Sequence, residues 1–173
     1  MPFITIPDMH GQVFIIDTAK KLSQKGAKTQ STKTLPPLSV CVSCIATPGL
    51  VVLTSEPSQT NQQINSVIPN DGISAYYCYM ALNELAHEIK ARGSGGSVTL
   101  NLNKTQFATL PVLLPDSPVI RKFHATIKPI FDGILENLNQ SFTLSAVRNT
   151  LLPKLLSGDI MVKDAGRFLE KSL

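Results

Sequence analysis

The stretch Asp116–Gly158, DSPVIRKFHATIKPIFDGILENLNQSFTLSAVRNTLLPKLLSG, decides the predicted fold. Asp116 or Ser117 can accept the free N–H groups of a first helical turn, and Pro118 suits the first helical position. Gly158 can adopt the left-handed conformation that ends a helix. Apolar residues recur between these signals at steps of three and four, which predicts one apolar stripe along a helix. The stripe comprises Ile120, Phe123, Ile127, Ile130, Ile134, Leu138, Phe142, Leu151 and Leu155.

This predicted helix is long for so small a chain. About forty residues at roughly 1.5 Å each would reach about 60 Å if straight. Pro129 and Pro153 each lack an N–H and clash with the carbonyl one turn earlier, so we expect a kinked helix in two or three pieces. An exposed apolar stripe needs a cover. We expect it to pack against a second copy of the chain or against residues 1–115.

The preceding residues predict a small α+β domain with a mixed sheet and short helices. FITIP (3–7) and QVFII (12–16) read as two strands joined by a turn. Further strands are predicted in 35–69, a helix in 73–93 and a closing strand before Pro115. We therefore place one domain at 1–115 and a helical extension with its tail at 116–173.

Basic charge is concentrated near the N-terminus. The 173 residues carry a net charge of +4, yet no Lys or Arg lies between Thr34 and Ile89. Lysines can bind phosphate, and amides or hydroxyls can reach base edges. The candidate phosphate contacts are Lys25, Lys28 and Lys33, and the candidate base contacts on the same segment are Gln30 and Ser31. The alternative is a solvated basic loop.

Two further segments have the side chains of a DNA-contacting surface. Asn61, in the run TNQQ, is a candidate base contact, although such runs often form turns that satisfy their own backbone. Arg92 and Ser94 flank the start of the glycine-rich run 93–97 and are candidate backbone contacts. That run lacks the Gly-Lys-Ser/Thr ending of a phosphate-binding loop, so a plain linker is the other interpretation.

Nothing in the sequence indicates an enzyme or a cofactor. Cys41 and Cys44 have the spacing of half a zinc site or of a redox pair, but they lie in an apolar run that favours a buried strand. Cys78 makes the count odd, which favours reduced thiols in a cytoplasm. His124 is expected to be a core or surface histidine of the long helix. We see no signal peptide and no membrane span.

Several motifs resemble one known family. LSAVRNTLLPKLLSGDI (144–160) is similar to the closing motif of specificity subunits of type I restriction-modification enzymes. The same resemblance is carried by VSCIATPG (42–49), TNQQI (60–64), GSGGSVTLNLNKTQFATLPVLLP (93–115) and IKPIFDGILENLNQ (127–140), in this order.

The resemblance implies a target recognition domain at 1–115 followed by one conserved helical spacer that packs antiparallel, like a coiled coil. Such a subunit is not catalytic. It reads one half of a bipartite double-stranded DNA target and docks methyltransferase subunits, and a restriction/translocase subunit joins through the complex. The chain departs from the pattern by having one domain and one spacer, by starting without the usual front strands, and by carrying Asn149 where an acidic residue often follows the arginine.

Two interpretations of this departure stay open. The chain is either a truncated piece or a half-length subunit that forms a homodimer. The alternative function is a helical dimerisation and assembly module with no DNA selectivity of its own.

Overall fold

The computed structural model of the protein describes residues 1–93 and 102–161. The chain divides into two compact units, Met1–Ile134 and Leu135–Leu173. The first unit holds two small sheets, several short helices and the first part of a long helix. The second unit contains the rest of that helix.

The larger sheet is mixed, as the sequence predicts. Its strands are β2 (Phe14–Ile15), β3 (Val40–Ser43), β4 (Val51–Thr54) and β6 (Ile64–Val67), in the order β2-β4-β3-β6. β3 runs antiparallel to β4 and β6, whereas β2 runs parallel to β4. A second sheet pairs β1 (Phe3–Ile4) in parallel with β5 (Gln59–Thr60).

The centre of the larger sheet is buried on both faces. Every residue of β3 and β4 is buried, so these strands read as continuous apolar runs. Helix α3 (Ala75–Glu84) packs against both strands. A separate core cluster joins the small sheet to the large one and contains Ile4, Ile6, Met9, Ile15, Leu35, Cys41, Val52 and Ile64.

The two predicted N-terminal strands are present, but they do not pair with each other, as two strands joined by one turn would. β1 and β2 belong to different sheets and are separated by α1 (Ile6–Met9). The carboxylate of Asp8 accepts hydrogen bonds from the Thr5 backbone N–H at 2.8 Å and the Thr5 hydroxyl at 2.6 Å. These bonds and Pro7 start a helical turn, which redirects the chain.

The helix predicted in 73–93 is two helices, α3 and α4 (Ala86–Gly93), which meet at Leu85. The closing strand predicted before Pro115 is wrong, because α5 (Lys104–Ala108) lies in that segment and none of its described residues, 102–115, forms a strand. The side chains of Asn103 and Gln106 cap each other's backbone N–H groups, at 2.9 and 3.1 Å. This reciprocal cap favours a helix over the strand that the apolar residues indicated.

The long helix, α6, runs from Ser117 to Leu156 as one element. The backbone N–H groups of Val119 and Ile120 bond to the Asp116 carbonyl at its start. Gly158 follows its end with φ +78°, as predicted. The expectation of two or three helical pieces is wrong, because a proline removes one bond of the ladder while the bonds of the flanking turns remain.

An aromatic cluster fixes the first part of α6 to the rest of the first unit. The Phe131 ring lies 4.5 Å from that of Tyr76, centroid to centroid, and also contacts Phe14 and Tyr79 edge-on. Phe131 is only 6% exposed, whereas Ile130, which the predicted stripe included, is 57% exposed. The register of the stripe is therefore wrong by one residue at this point.

His124 has a structural role in the same region. Its Nδ1 lies 3.0 Å from the hydroxyl of Ser74, the residue that caps α3, and its ring stacks on Tyr76. Phe123 contacts Tyr77 edge-on, and Ile120 is buried. The stripe thus joins α6 to α3, and His124 is a half-buried histidine of the long helix, between the core and surface positions expected for it.

The part of α6 in the second unit exposes apolar side chains. Phe142 and Leu152 are each 49% exposed, and Leu144 and Leu156 more so. The nine-residue step from Phe142 to Leu151 turns through about 180° at 3.6 residues per turn, so Leu151 lies on the opposite face. The single predicted stripe therefore ends at Phe142, and two apolar faces follow it. No helix in the described ranges is both long enough and apolar enough to cross a bilayer.

Candidate nucleic-acid interface

The lysine cluster lies on a surface segment that we call the basic segment, residues 20–34. It contains α2 (Gln24–Thr29) and a 3₁₀ turn (Ser31–Lys33). The Ser23 hydroxyl caps α2 by accepting a hydrogen bond from the Gly26 N–H at 3.1 Å. All five lysines of the segment are exposed, as a phosphate-binding surface requires.

The backbone of the basic segment is fixed at both ends. At its start, the Leu22 N–H bonds to the Met1 carbonyl and the Phe3 N–H bonds to that of Lys20. At its end, Leu35 exchanges two backbone hydrogen bonds with Ser58, of 2.8 and 3.1 Å. The exposed lysines are therefore carried by a backbone in a defined position.

Gln59 ties the middle of the basic segment to β5. Its buried amide group donates to the carbonyls of Ala27 and Gln30, at 3.0 and 3.1 Å, and to the Thr34 hydroxyl at 3.0 Å. The sequence gives no signal for the role of Gln59, because a buried glutamine in a two-residue strand has no distinctive pattern. It is the side chain that connects α2, the 3₁₀ turn and the sheet.

Among the described residues, one lysine of the basic segment forms an ion pair and the three candidate phosphate contacts form none. Lys21 forms an ion pair with Asp17 at 2.8 Å, and this contact raises the pKa of Lys21 and lowers that of Asp17. In the parts of the chain that the structure describes, none of Lys25, Lys28 and Lys33 forms an ion pair. Within the described residues, the three lysine side chains are exposed to solvent and have no acidic partner.

A groove lies between the basic segment, the β5–β6 region and α5. It brings together three of the predicted residues, Gln30, Lys33 and Asn61. Lys25, Lys28 and Ser31 lie on the basic segment but do not line the groove. The charged residues that line the groove are Lys33 and Lys104, and no acidic residue is among the described lining residues. A polyanion in the groove would therefore not be repelled by negative charge.

Asn61 is engaged in a turn, which was the alternative interpretation. Its carbonyl oxygen accepts from the Gln63 backbone N–H, and its amide donates to the Gln63 side chain, each at 3.0 Å. Base contact by Asn61 stays a prediction. Arg92 falls within α4, with its side chain outside the described part, and Ser94 lies outside the described residues.

Cys41 in β3 and Cys44 directly after it are buried thiols, which confirms their interpretation as part of a buried strand region. Burial raises the pKa of Cys41 to about 11 and also raises that of Cys44. Ser66 and Asn65 on the neighbouring strand donate to the two sulfur atoms, at 3.5 and 3.1 Å. Within residues 1–93 and 102–161, no group of three or more His, Cys, Asp or Glu is placed to hold a metal ion.

Comparison with known proteins gives a consistent result. Residues 1–141 match the family described as type I restriction modification DNA specificity domain. The type I restriction enzyme HindI specificity subunit of Haemophilus influenzae is 46% identical over 162 residues, covering 92% of this chain and 35% of that protein. The type I restriction enzyme MjaIX specificity subunit of Methanocaldococcus jannaschii is 28% identical over 103 residues, covering 58% and 23%.

A solved structure shares the fold. The HsdS subunit from Thermoanaerobacter tengcongensis superposes with a TM-score of 0.53 at 17% identity, covering 92% of this chain and 38% of that chain. At this identity the similarity concerns the fold alone. The chain spans less than two fifths of the length of each of these three proteins.

Proposed function

The chain belongs to the type I restriction modification DNA specificity domain family, and we propose that it provides non-catalytic, sequence-specific DNA recognition in a cytoplasmic type I restriction-modification complex. In this proposal residues 1–115 are the target recognition domain and read one half of a bipartite target. Residues 116–173 are the helical spacer. The names of the two specificity subunits, one of them 46% identical, support the assignment.

The observation that carries the proposal is the charge of the groove and of the segment beside it. Three exposed lysines without ion-pair partners in the described structure, Lys25, Lys28 and Lys33, lie on a backbone fixed at both ends. Amide and hydroxyl side chains line the adjoining groove. Phosphate contacts position a protein on a duplex, and base contacts select the sequence, so both kinds of group are needed at one surface.

The second unit supports a spacer that pairs with other helices. Phe142, Leu144 and Leu152 are exposed on a helix that has two apolar faces. A helix that is apolar on two sides is normally covered on both. We propose an antiparallel second helix on one face, from a homodimer partner if the subunit is half-length, and methyltransferase subunits as the further partners. The restriction/translocase subunit joins through that complex.

The proposal also assigns the first turns of α6 a double role. We place the functional boundary between recognition domain and spacer at residue 115, whereas the first compact unit extends to Ile134. The contacts of Phe123 and Phe131 attach the start of the spacer to the recognition domain. In this proposal residues 116–134 are therefore part of the spacer and also part of the first compact unit.

Selection from a pool of random-sequence duplex DNA tests the function. We expect enrichment of a short motif and an affinity that falls steeply as salt is raised. Lys28→Ala and Lys33→Ala should each weaken binding and reduce the salt slope by about one. Lys122→Ala, an exposed lysine on α6 outside the groove, is the matched control and should change neither. Weak, uniform binding without enrichment would favour the assembly module instead.

A further inference from the structure

The groove has a lysine on each of two separate elements. Lys33 lies on the 3₁₀ turn of the basic segment, and Lys104 is the first residue of α5. Both side chains are exposed. The chain carries them more than 70 residues apart in sequence, at Lys33 and Lys104, so the sequence alone did not associate them. A polyanion in the groove would meet positive charge from two walls.

The amide side chains of the groove differ in whether they are available. The Gln59 amide is used by the basic segment, the Asn61 amide by Gln63, and the Asn65 amide by the Cys44 sulfur. Gln62 is exposed, and its side chain forms no hydrogen bond within the described ranges. Gln62 is thus the groove amide of the β5–β6 turn whose donors and acceptor are free for a ligand.

We propose that Gln62, rather than Asn61, reads a base edge of duplex DNA in this groove, and that Lys104 binds a phosphate of the same duplex. This inference rests on the proposed function and names the residues that perform it. A glutamine amide can donate to N7 and accept from the N6 amino group of adenine, which selects an A·T pair in the major groove. Asn61 holds the turn that presents Gln62.

Parallel pool selections with the full chain and with Gln62→Ala test the base contact. The variant should lose preference at one position of the enriched motif while the other positions persist. Affinity for the wild-type motif should fall between about fivefold and about a hundredfold, and a duplex changed at that one position should show no further loss with the variant. Gln12→Ala, which removes an exposed glutamine outside the groove, should leave the motif unchanged.

The matched variant Asn61→Ala separates presentation from contact. It should lower the melting temperature, because the two bonds to Gln63 are lost. Relaxed selectivity with Asn61→Ala at an unchanged melting temperature, together with an unchanged motif in Gln62→Ala, would overturn the assignment.

Salt titrations with the enriched duplex test the phosphate contact. Lys104→Ala should weaken binding to all sequences equally and reduce the salt slope by about one, while Lys122→Ala should not. An unchanged slope with Lys104→Ala would remove α5 from the interface and leave the proposed function intact. If the wild-type chain enriches no motif and heparin or duplex RNA competes equally with DNA, both the function and this inference fail.

Discussion

The two parts of α6 carry similar sequence patterns in different surroundings. In the part up to Ile134, Phe131 is 6% exposed and contacts three aromatic rings of the same unit. In the part from Leu135 onward, Phe142 is 49% exposed and Leu144 67% exposed. Apolar spacing shows which face of a helix is apolar, but it does not show whether the same chain covers that face.

The largest expected effect compares two phenylalanines of this one helix. Phe131→Ala should lower the free energy of unfolding by about 3–5 kcal/mol, because it empties a site among Phe14, Tyr76 and Tyr79. Phe142→Ala should change the free energy of unfolding of the monomer by about 0.5 kcal/mol or less. Urea unfolding, followed by tyrosine fluorescence at low protein concentration, measures both. Equal losses would mean that Phe142 is also buried within the monomer.

A buried polar contact in the first unit should have a smaller effect. Gln59→Leu removes three hydrogen bonds and leaves acceptors on Ala27, Gln30 and Thr34 without that donor. We expect a loss of about 2 kcal/mol in the free energy of unfolding, together with weaker DNA binding. The control Gln12→Leu adds the same apolar side chain at an exposed position. A stable Gln59→Leu variant would show that the basic segment is held by its backbone bonds alone.

Most elements of the first unit could be predicted from sequence, and the errors have physical causes. The buried strands around Cys41 and Val52 were evident because both of their faces are apolar. The sequence did not predict the pairing of the N-terminal strands or the helix α5, because each depends on a reciprocal cap that overrides the apolar pattern. The helix signals at Pro118 and Gly158 were correct because they are local.

The candidate site was predicted less completely, since it is built from distant parts of the chain. The lysine cluster identified the basic segment, and its lysines are exposed. The groove depends on α5, and the availability of each amide depends on hydrogen bonds such as those of Asn61 and Gln59. Spacing in sequence gives residue types, whereas the use of each polar atom is fixed by the fold.

We expect the second unit, and not the first, to provide the surface for self-association. Phe142→Asp places a charge on an exposed apolar face, and we expect it to raise the dimer dissociation constant at least about tenfold, equivalent to about 1.4 kcal/mol. Thr143→Asp adds the same charge at an exposed position about 100° around the helix from Phe142 and is the control. Sedimentation equilibrium measures both. A wild-type chain that stays monomeric at high concentration would remove the homodimer from the proposal and leave methyltransferase subunits as the cover.

The smallest expected effect concerns pH and should be confined to the first unit. Burial alone would raise the pKa of Asp8, but hydrogen bonds from Thr5 and the Ala19 N–H outweigh it, so the pKa lies below 3.8. A lowered pKa in the folded state contributes stability above the unfolded pKa, and this contribution is lost as the pH falls through the folded pKa. Asp8→Ala should therefore cost about 1 kcal/mol at pH 7 and progressively less below pH 3.8.

Urea unfolding of the wild type, Asp8→Ala and Asp71→Ala at pH 7 and in acid measures this difference. Asp71→Ala removes an exposed carboxylate and should have little effect at either pH. If Asp8→Ala costs the same free energy in acid as at pH 7, the carboxylate acts through its shape and not through its charge. A loss that follows the titration of Asp8 would show that charge-assisted bonds around α1 stabilise the region that carries the groove.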